Sequence, residues 1–158
     1  ASGEDQLGAQ TLPTTAIQRL SASTQRKLTP DSDPQLEQTL RNSFSYMMAA
    51  NVDVVLGTDA GAVPDHPFGY TGHRELEIFV KYGMSPMQAL SAATSVAARV
   101  LGLDDAGLIK AGYRADLLIL DRNPLEDIRN TRQIHAVYLG GKQLDREALA
   151  AGFKSAGN

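Results

Sequence analysis

The sequence predicts an α/β fold, and three observations carry the prediction. Apolar residues recur at helical spacing over about 34–49 and again over about 86–101, and a β-branched run, Val52-Asp53-Val54-Val55-Leu56, stands between helical stretches. Beyond residue 103 the apolar period shortens to that of strands. With 158 residues and 42% hydrophobic side chains, the chain can bury roughly 70% of its extended surface and build a real core.

Residues 1–34 are rich in Gln, Ser, Thr and Pro and read as a surface segment or connection, with a short helix possible over 14–23. Asp33 is placed to cap a helix and Pro34 to open it. Leu36, Leu40, Phe44 and Met47 then give the apolar face of a helix over about 34–49. The β-branched run predicts a buried strand over about 52–57, ended by Gly57. Thr58–Gly72 contains too many glycines and prolines for regular structure and reads as a long loop. Leu76, Phe79 and Val80 mark a helix over about 72–82 that Gly83 ends. Ser85, Pro86 and Gln88 form a capping-box pattern at the head of the helix over about 86–101. Four short strands follow, over 108–110, 115–121, 134–140 and 142–144, with Gly140-Gly141 as a hairpin turn between the last two. The apolar run Leu117–Leu120 predicts a strand covered on both faces. The charge-rich stretch 121–132 reads as a solvated turn, and an Ala-rich weak helix closes the chain.

Composition narrows the function classes. Fifteen Lys and Arg stand against eighteen Asp and Glu, for a net charge of −3, so no basic excess points to nucleic acid. No apolar run approaches the roughly 20 residues of a membrane span. The opening residues lack a signal peptide's basic and apolar regions, which favours a cytoplasmic location, or a periplasmic or secreted one if a leader has been removed. Cysteine is absent, which excludes disulfides, thiolate nucleophiles and Cys-ligated zinc. Neither a phosphate-binding P-loop nor a Gly-x-Ser-x-Gly elbow is present.

The sharpest local feature is Gly57-Thr58-Asp59-Ala60-Gly61, a carboxylate where a buried strand gives way to a Gly-rich loop. In α/β architectures ligands bind at such strand ends. Asp59 there can bind a divalent cation, shuttle a proton, or simply cap the turn. Asp65, Glu75 and Glu77 are available to pair with it, although Glu75 and Glu77 fall on a helix whose charged residues are expected to face water. His66, in the loop, can touch a substrate or be solvated, while His73 and His135 read as structural. His66 and His73 stand seven apart with breakers between them, which is not metal-ligand spacing.

Three blocks in this order resemble the C-terminal part of the amidohydrolase superfamily, in the branch of imidazolonepropionase-like and Xaa-Pro dipeptidase (prolidase)-like enzymes. They are VVLGTDAG at 54–61, ELEIFVKYGMSPMQALSAATSVAARVLGL at 75–103 and GLIKAGYRADLLILDRNPLEDI at 107–128. The resemblance implies the last part of a (β/α)8 barrel over 1–103 and strands of a composite β-sandwich over 104–158. It also implies a hydrolase of carbon–nitrogen bonds in which Asp59 binds one or two divalent ions, zinc by family habit, and takes a proton from the attacking water. His66 lies near where the branch often has a His-Gly pair, but Pro67 follows it here. The family's His-x-His pair, bridging Lys and two further His are absent from these blocks.

Eight strands and their helices need about 250 residues, so the chain is too short to close a barrel. The resemblance therefore implies that most metal ligands lie outside it and that a complementary N-terminal barrel polypeptide, or association with further copies, completes it. The expected substrate is a small molecule or dipeptide, either an Xaa-Pro dipeptide or a cyclic amide. The rival expectation is a noncatalytic, self-associating fragment that keeps these motifs for packing.

Overall fold

The computed structural model describes residues 34–62 and 68–156, together with Gln18. Helix α1 spans Pro34–Ala49, the predicted bounds, but of its expected apolar face Phe44 is buried while Leu36, Leu40 and Met47 are exposed among the described residues. Helix α2, Tyr70–Lys81, begins two residues before its predicted start and ends at Tyr82. Gly83, at φ 119°, lets the chain turn there, and Met84 N–H donates to Phe79 O at 3.0 Å. Helix α3, Pro86–Ala93, opens on the predicted capping box: Gln88 N–H donates to the Ser85 hydroxyl, and Ser85 N–H to the Gln88 side chain.

The single helix expected over 86–101 is in fact two, because Thr94 leaves helical geometry at φ −127° and ψ −89° before α4, Ser95–Val100. Thr94 is β-branched and bonds its hydroxyl back to Leu90 O at 2.7 Å, a pairing that bends helices. Gly107 uses the break. A Cβ there would lie 2.6 Å from Thr94 O, so only glycine lets the following loop come this close.

The helical core gathers Phe44, Leu76, Phe79, Met84, Ala89 and Ala92, with the Phe44 and Phe79 rings 5.7 Å apart. The predicted strand over 52–57 is not formed. The segment is extended and packs Val54 and Leu56 on this core, but among the described residues no ladder joins it to another strand. A strand requires a neighbour, and the described chain supplies none at this place.

The sheet has three antiparallel strands in the order β1 (Leu117–Leu120), β2 (Ile134–Leu139) and β3 (Lys142–Gln143). Leu117 pairs with Tyr138, and a bulge between Ile119 and Leu120 shifts the register so that Leu120 meets Ile134. Gly140 and Gly141 have φ of 56° and 79°, the two left-handed residues that a tight hairpin turn needs. The expected strand over 108–110 is absent, and Ile109 is 91% exposed. Leu117–Leu120 is not covered on both faces either: Leu118 is 55% exposed, because the described residues place no second layer over it. The stretch 121–132 is more than a turn. It contains a 3-10 helix, Ile128–Arg132, capped by Asp127, and Ile128 joins the helical core. Helix α5 spans Arg146–Ala156. No helix of the described residues is long and apolar enough to cross a membrane.

Candidate functional site

The extended segment that carries Asp59 is fixed at several points. Arg99 on α4 clamps Asp53 with two hydrogen bonds of 2.6 and 2.7 Å, and this guanidinium holds the Asp53 carboxyl below the usual carboxylate range. Leu56 N–H donates to Ala92 O at 3.3 Å. That approach is possible because α3 presents the small buried residues Ala89 and Ala92. Beyond Gly57 the backbone turns: Ala60 N–H donates to the Thr58 hydroxyl at 3.2 Å, and Ala62 N–H to Asp59 O at 3.0 Å. Asp59 has φ 50° and an exposed side chain. Gly61, at φ 84°, lies under the end of the Phe68 ring, where a Cβ would meet Cζ at 2.6 Å.

Of the other residues singled out in the sequence, His66 and Asp65 lie outside the described residues, as does most of the 14–23 stretch. His73 packs in the first turns of α2, with Nδ1 3.1 Å from the Thr131 hydroxyl. Burial, and then the nearby Arg132 charge, push its pKa down. His135 sits on β2, exposed, 3.0 Å from Asp121. Glu77 does not simply face water: its carboxylate pairs with Arg132 of the 3-10 helix and, at 2.8 Å, with Arg74. Arg132 also lies over the Tyr70 ring, 5.0 Å from its centroid, so Tyr70, His73 and Glu77 fasten α2 to the 3-10 helix. Neither histidine approaches Asp59 through any contact observed.

Residues 19–144 match the family model described as "Amidohydrolase family". The chain belongs to the amidohydrolase family. Members are hydrolases of carbon–nitrogen bonds and generally bind divalent metals. Among the relatives of this amidohydrolase chain, ochratoxinase of Aspergillus niger is 37% identical over 106 residues, which is 63% of this chain and 21% of the relative. Imidazolonepropionase of Rubrobacter xylanophilus is 45% identical over 78 residues, 49% of this chain and 16% of the relative. A solved Xaa-Pro dipeptidase with bound methionine in its active site superposes with a TM-score of 0.61 over 82% of this chain and 32% of its own, at 24% identity, a likeness of fold. The chain thus spans about a fifth of the length of the curated relatives it matches.

The described residues do not by themselves fit a divalent metal. No group of three or more His, Asp or Glu side chains among them converges as a metal site would require. Asp59 offers one hard carboxylate, a single ligand's worth.

The residue pair that sequence reasoning missed is Asp53 and Arg99. The sequence signal for it was slight, since alternation in an extended run puts Asp53 on the face opposite Val54 and Leu56, where it is exposed and needs no partner. Nothing in the sequence pointed to Arg99 as a partner.

Proposed function

We propose that this chain is the C-terminal section of a metal-dependent amidohydrolase that cleaves an amide or peptide bond, in an Xaa-Pro dipeptide or a cyclic amide. It is catalytically competent only when joined to the complementary section of a (β/α)8 barrel. The observation that carries the reading is the placement of Asp59: an exposed carboxylate in a left-handed turn, at the end of a segment tethered through Asp53 and Leu56 to the helices behind it. The neighbouring Ala60 amide is taken by the hydroxyl of Thr58.

In this reading Asp59 is both metal ligand and general base. It accepts a proton from the attacking water and returns it to the leaving amine. A divalent ion, zinc by family habit, lowers the pKa of water toward neutrality when bound. The remaining ligands come from the complementary section, which also covers Leu118, Ile119 and Ile109. His66 is assigned to substrate contact.

The test is hydrolysis of a dipeptide and cyclic-amide panel by the assembled enzyme, with metal analysis. Asp59→Asn is expected to lower kcat by about 10²–10⁴-fold. Undiminished hydrolysis by that variant removes Asp59 from the mechanism.

The exposed apolar residues also support a second reading, in which the chain is a noncatalytic fragment that associates with copies of itself. Sedimentation of the purified chain separates the two: a defined homo-oligomer with no complementary polypeptide and no bound metal favours the fragment.

A further inference from the structure

We propose that Thr58 is a positioning residue that aims the Asp59 carboxylate by holding its backbone in the left-handed region; the proposal rests on the reading of Asp59 as the acid–base group. Among the described residues two that carry a side chain have positive φ, Asn51 at 52° and Asp59 at 50°. They differ in cause. Asn51 follows α1 directly, and Val52 N–H closes back on Met47 O at 3.0 Å, so its left-handed turn is an ordinary helix stop. Asp59 follows no helix. It ends an extended segment, where continuing in the β region would be the relaxed choice for a residue with a Cβ.

A contact that opposes that relaxation is the 3.2 Å hydrogen bond from Ala60 N–H to the Thr58 hydroxyl, which reaches across Asp59 from one side to the other. The 3.0 Å bond from Ala62 N–H to Asp59 O tightens the next turn. Upstream, Asp53–Arg99 and Leu56–Ala92 fix where Thr58 stands. Backbone conformation sets the direction of the Cα–Cβ bond, so a return of Asp59 to extended geometry re-aims its carboxylate while leaving the fold behind it in place. The hydroxyl must be present as an acceptor, and the methyl group of threonine is dispensable for this task.

Two measurements on Thr58→Val and Thr58→Ser test the assignment. Solution NMR of the full 158-residue chain reads the sign of φ at Asp59. Steady-state kinetics of the assembled hydrolase on the dipeptide panel separate kcat from KM. Thr58→Val, isosteric but without an acceptor, is expected to release Asp59 to negative φ and to lower kcat about 10²-fold with KM nearly unchanged. Thr58→Ser is expected to keep both, and neither variant to shift the thermal midpoint. Positive φ retained in Thr58→Val overturns the proposal, as does a serine variant that fails like valine or a kcat loss that merely follows lost stability. If the valine variant changes φ as expected but the wild-type assembly hydrolyses no amide, the function assigned to Asp59 falls and the backbone lock stands.

Discussion

The helical part, 34–100, and the strand part, 104–145, solve the burial problem differently. In the first, α1, α2 and α3 bury Phe44, Leu76, Phe79 and Met84 together, with Val54 and Leu56 packed against them, while Leu36, Leu40 and Met47 of α1 stay exposed. In the second, Ala136, Ile128 and Thr131 are the buried residues, and Ile128 belongs to the helical core. The apolar run of β1 stays in contact with solvent. A sheet has two faces to cover and two edges to pair, whereas a helix needs one stripe covered. Among the described residues the strand part therefore leaves Leu118 and Ile119 of its sheet uncovered.

The largest expected effect contrasts the two regions directly. Phe79→Ala, which empties the centre of the helical core, is expected to cost about 3–5 kcal/mol in urea unfolding of this chain. Leu118→Ala should change stability by only about 0.5 kcal/mol in the same assay, because its side chain is already wet. If the proposed complementary section covers Leu118, the second figure should rise to about 2–5 kcal/mol on assembly. Equal costs for Leu118→Ala in the two settings would mean that nothing docks on β1.

Next in size is the seam between the regions. Gly107→Ala places a Cβ 2.6 Å from Thr94 O and 2.9 Å from the Ala98 Cβ, at a φ of 79° that disfavours any side chain. The left-handed strain and the overlap together are expected to cost about 2–4 kcal/mol. Because the clash is with backbone, the loop must lift off the α3–α4 break to relieve it. Loss of amide protection confined to 102–116 would show this, and an unchanged urea midpoint would refute it.

How much of this was legible in the sequence follows the same division. Helical elements were readable because their signals are local: Pro34, the Ser85–Gln88 box and Gly83 each act within one turn. The hairpin at Gly140-Gly141 was readable for the same reason. The expected strands over 52–57 and 108–110 failed because strand pairing is non-local, and a β-branched run states readiness to pair without naming a partner. The break at Thr94 was missed because it depends on a side-chain bond and on a glycine 13 residues later. At the site, the turn around Asp59 was visible in Gly57 and Gly61, but the Asp53–Arg99 clamp joins residues 46 apart in sequence.

A smaller effect tests whether the local signals act as independently as that division implies. Ser85→Ala removes the acceptor for Gln88 N–H at the start of α3 and is expected to cost about 1 kcal/mol in urea unfolding. That loss should be the same with or without the complementary section, in contrast to Leu118→Ala. A cost that grows on assembly would mean that the head of α3 is itself an interface.

The smallest effect is electrostatic and again has one instance in each region. Lys81, hydrogen-bonded to Glu37, holds that carboxyl below its ordinary range in the helical part. In the strand part the Arg129 guanidinium and backbone N–H bring Asp127 down to about 2 from 3.8. Both carboxylates are stabilised as anions by folding, so their contribution is complete above the unfolded-state pKa and is lost as pH falls toward the folded-state one. For Asp127 that window runs from about 4 down to about 2. Since Asp127 also caps the 3-10 helix through Arg129 N–H at 2.9 Å, the amide signals of 128–132 should persist to about pH 2 and weaken only as the carboxyl protonates. Arg129→Gln removes the guanidinium and keeps the backbone donor, so it should raise the Asp127 midpoint part of the way back to 3.8. Both contacts face water, so added salt should weaken each of them. A wild-type Asp127 midpoint already near 3.8 would show that the Arg129 contact does not persist in solution, and would leave the Asp127 cap resting on the backbone N–H alone.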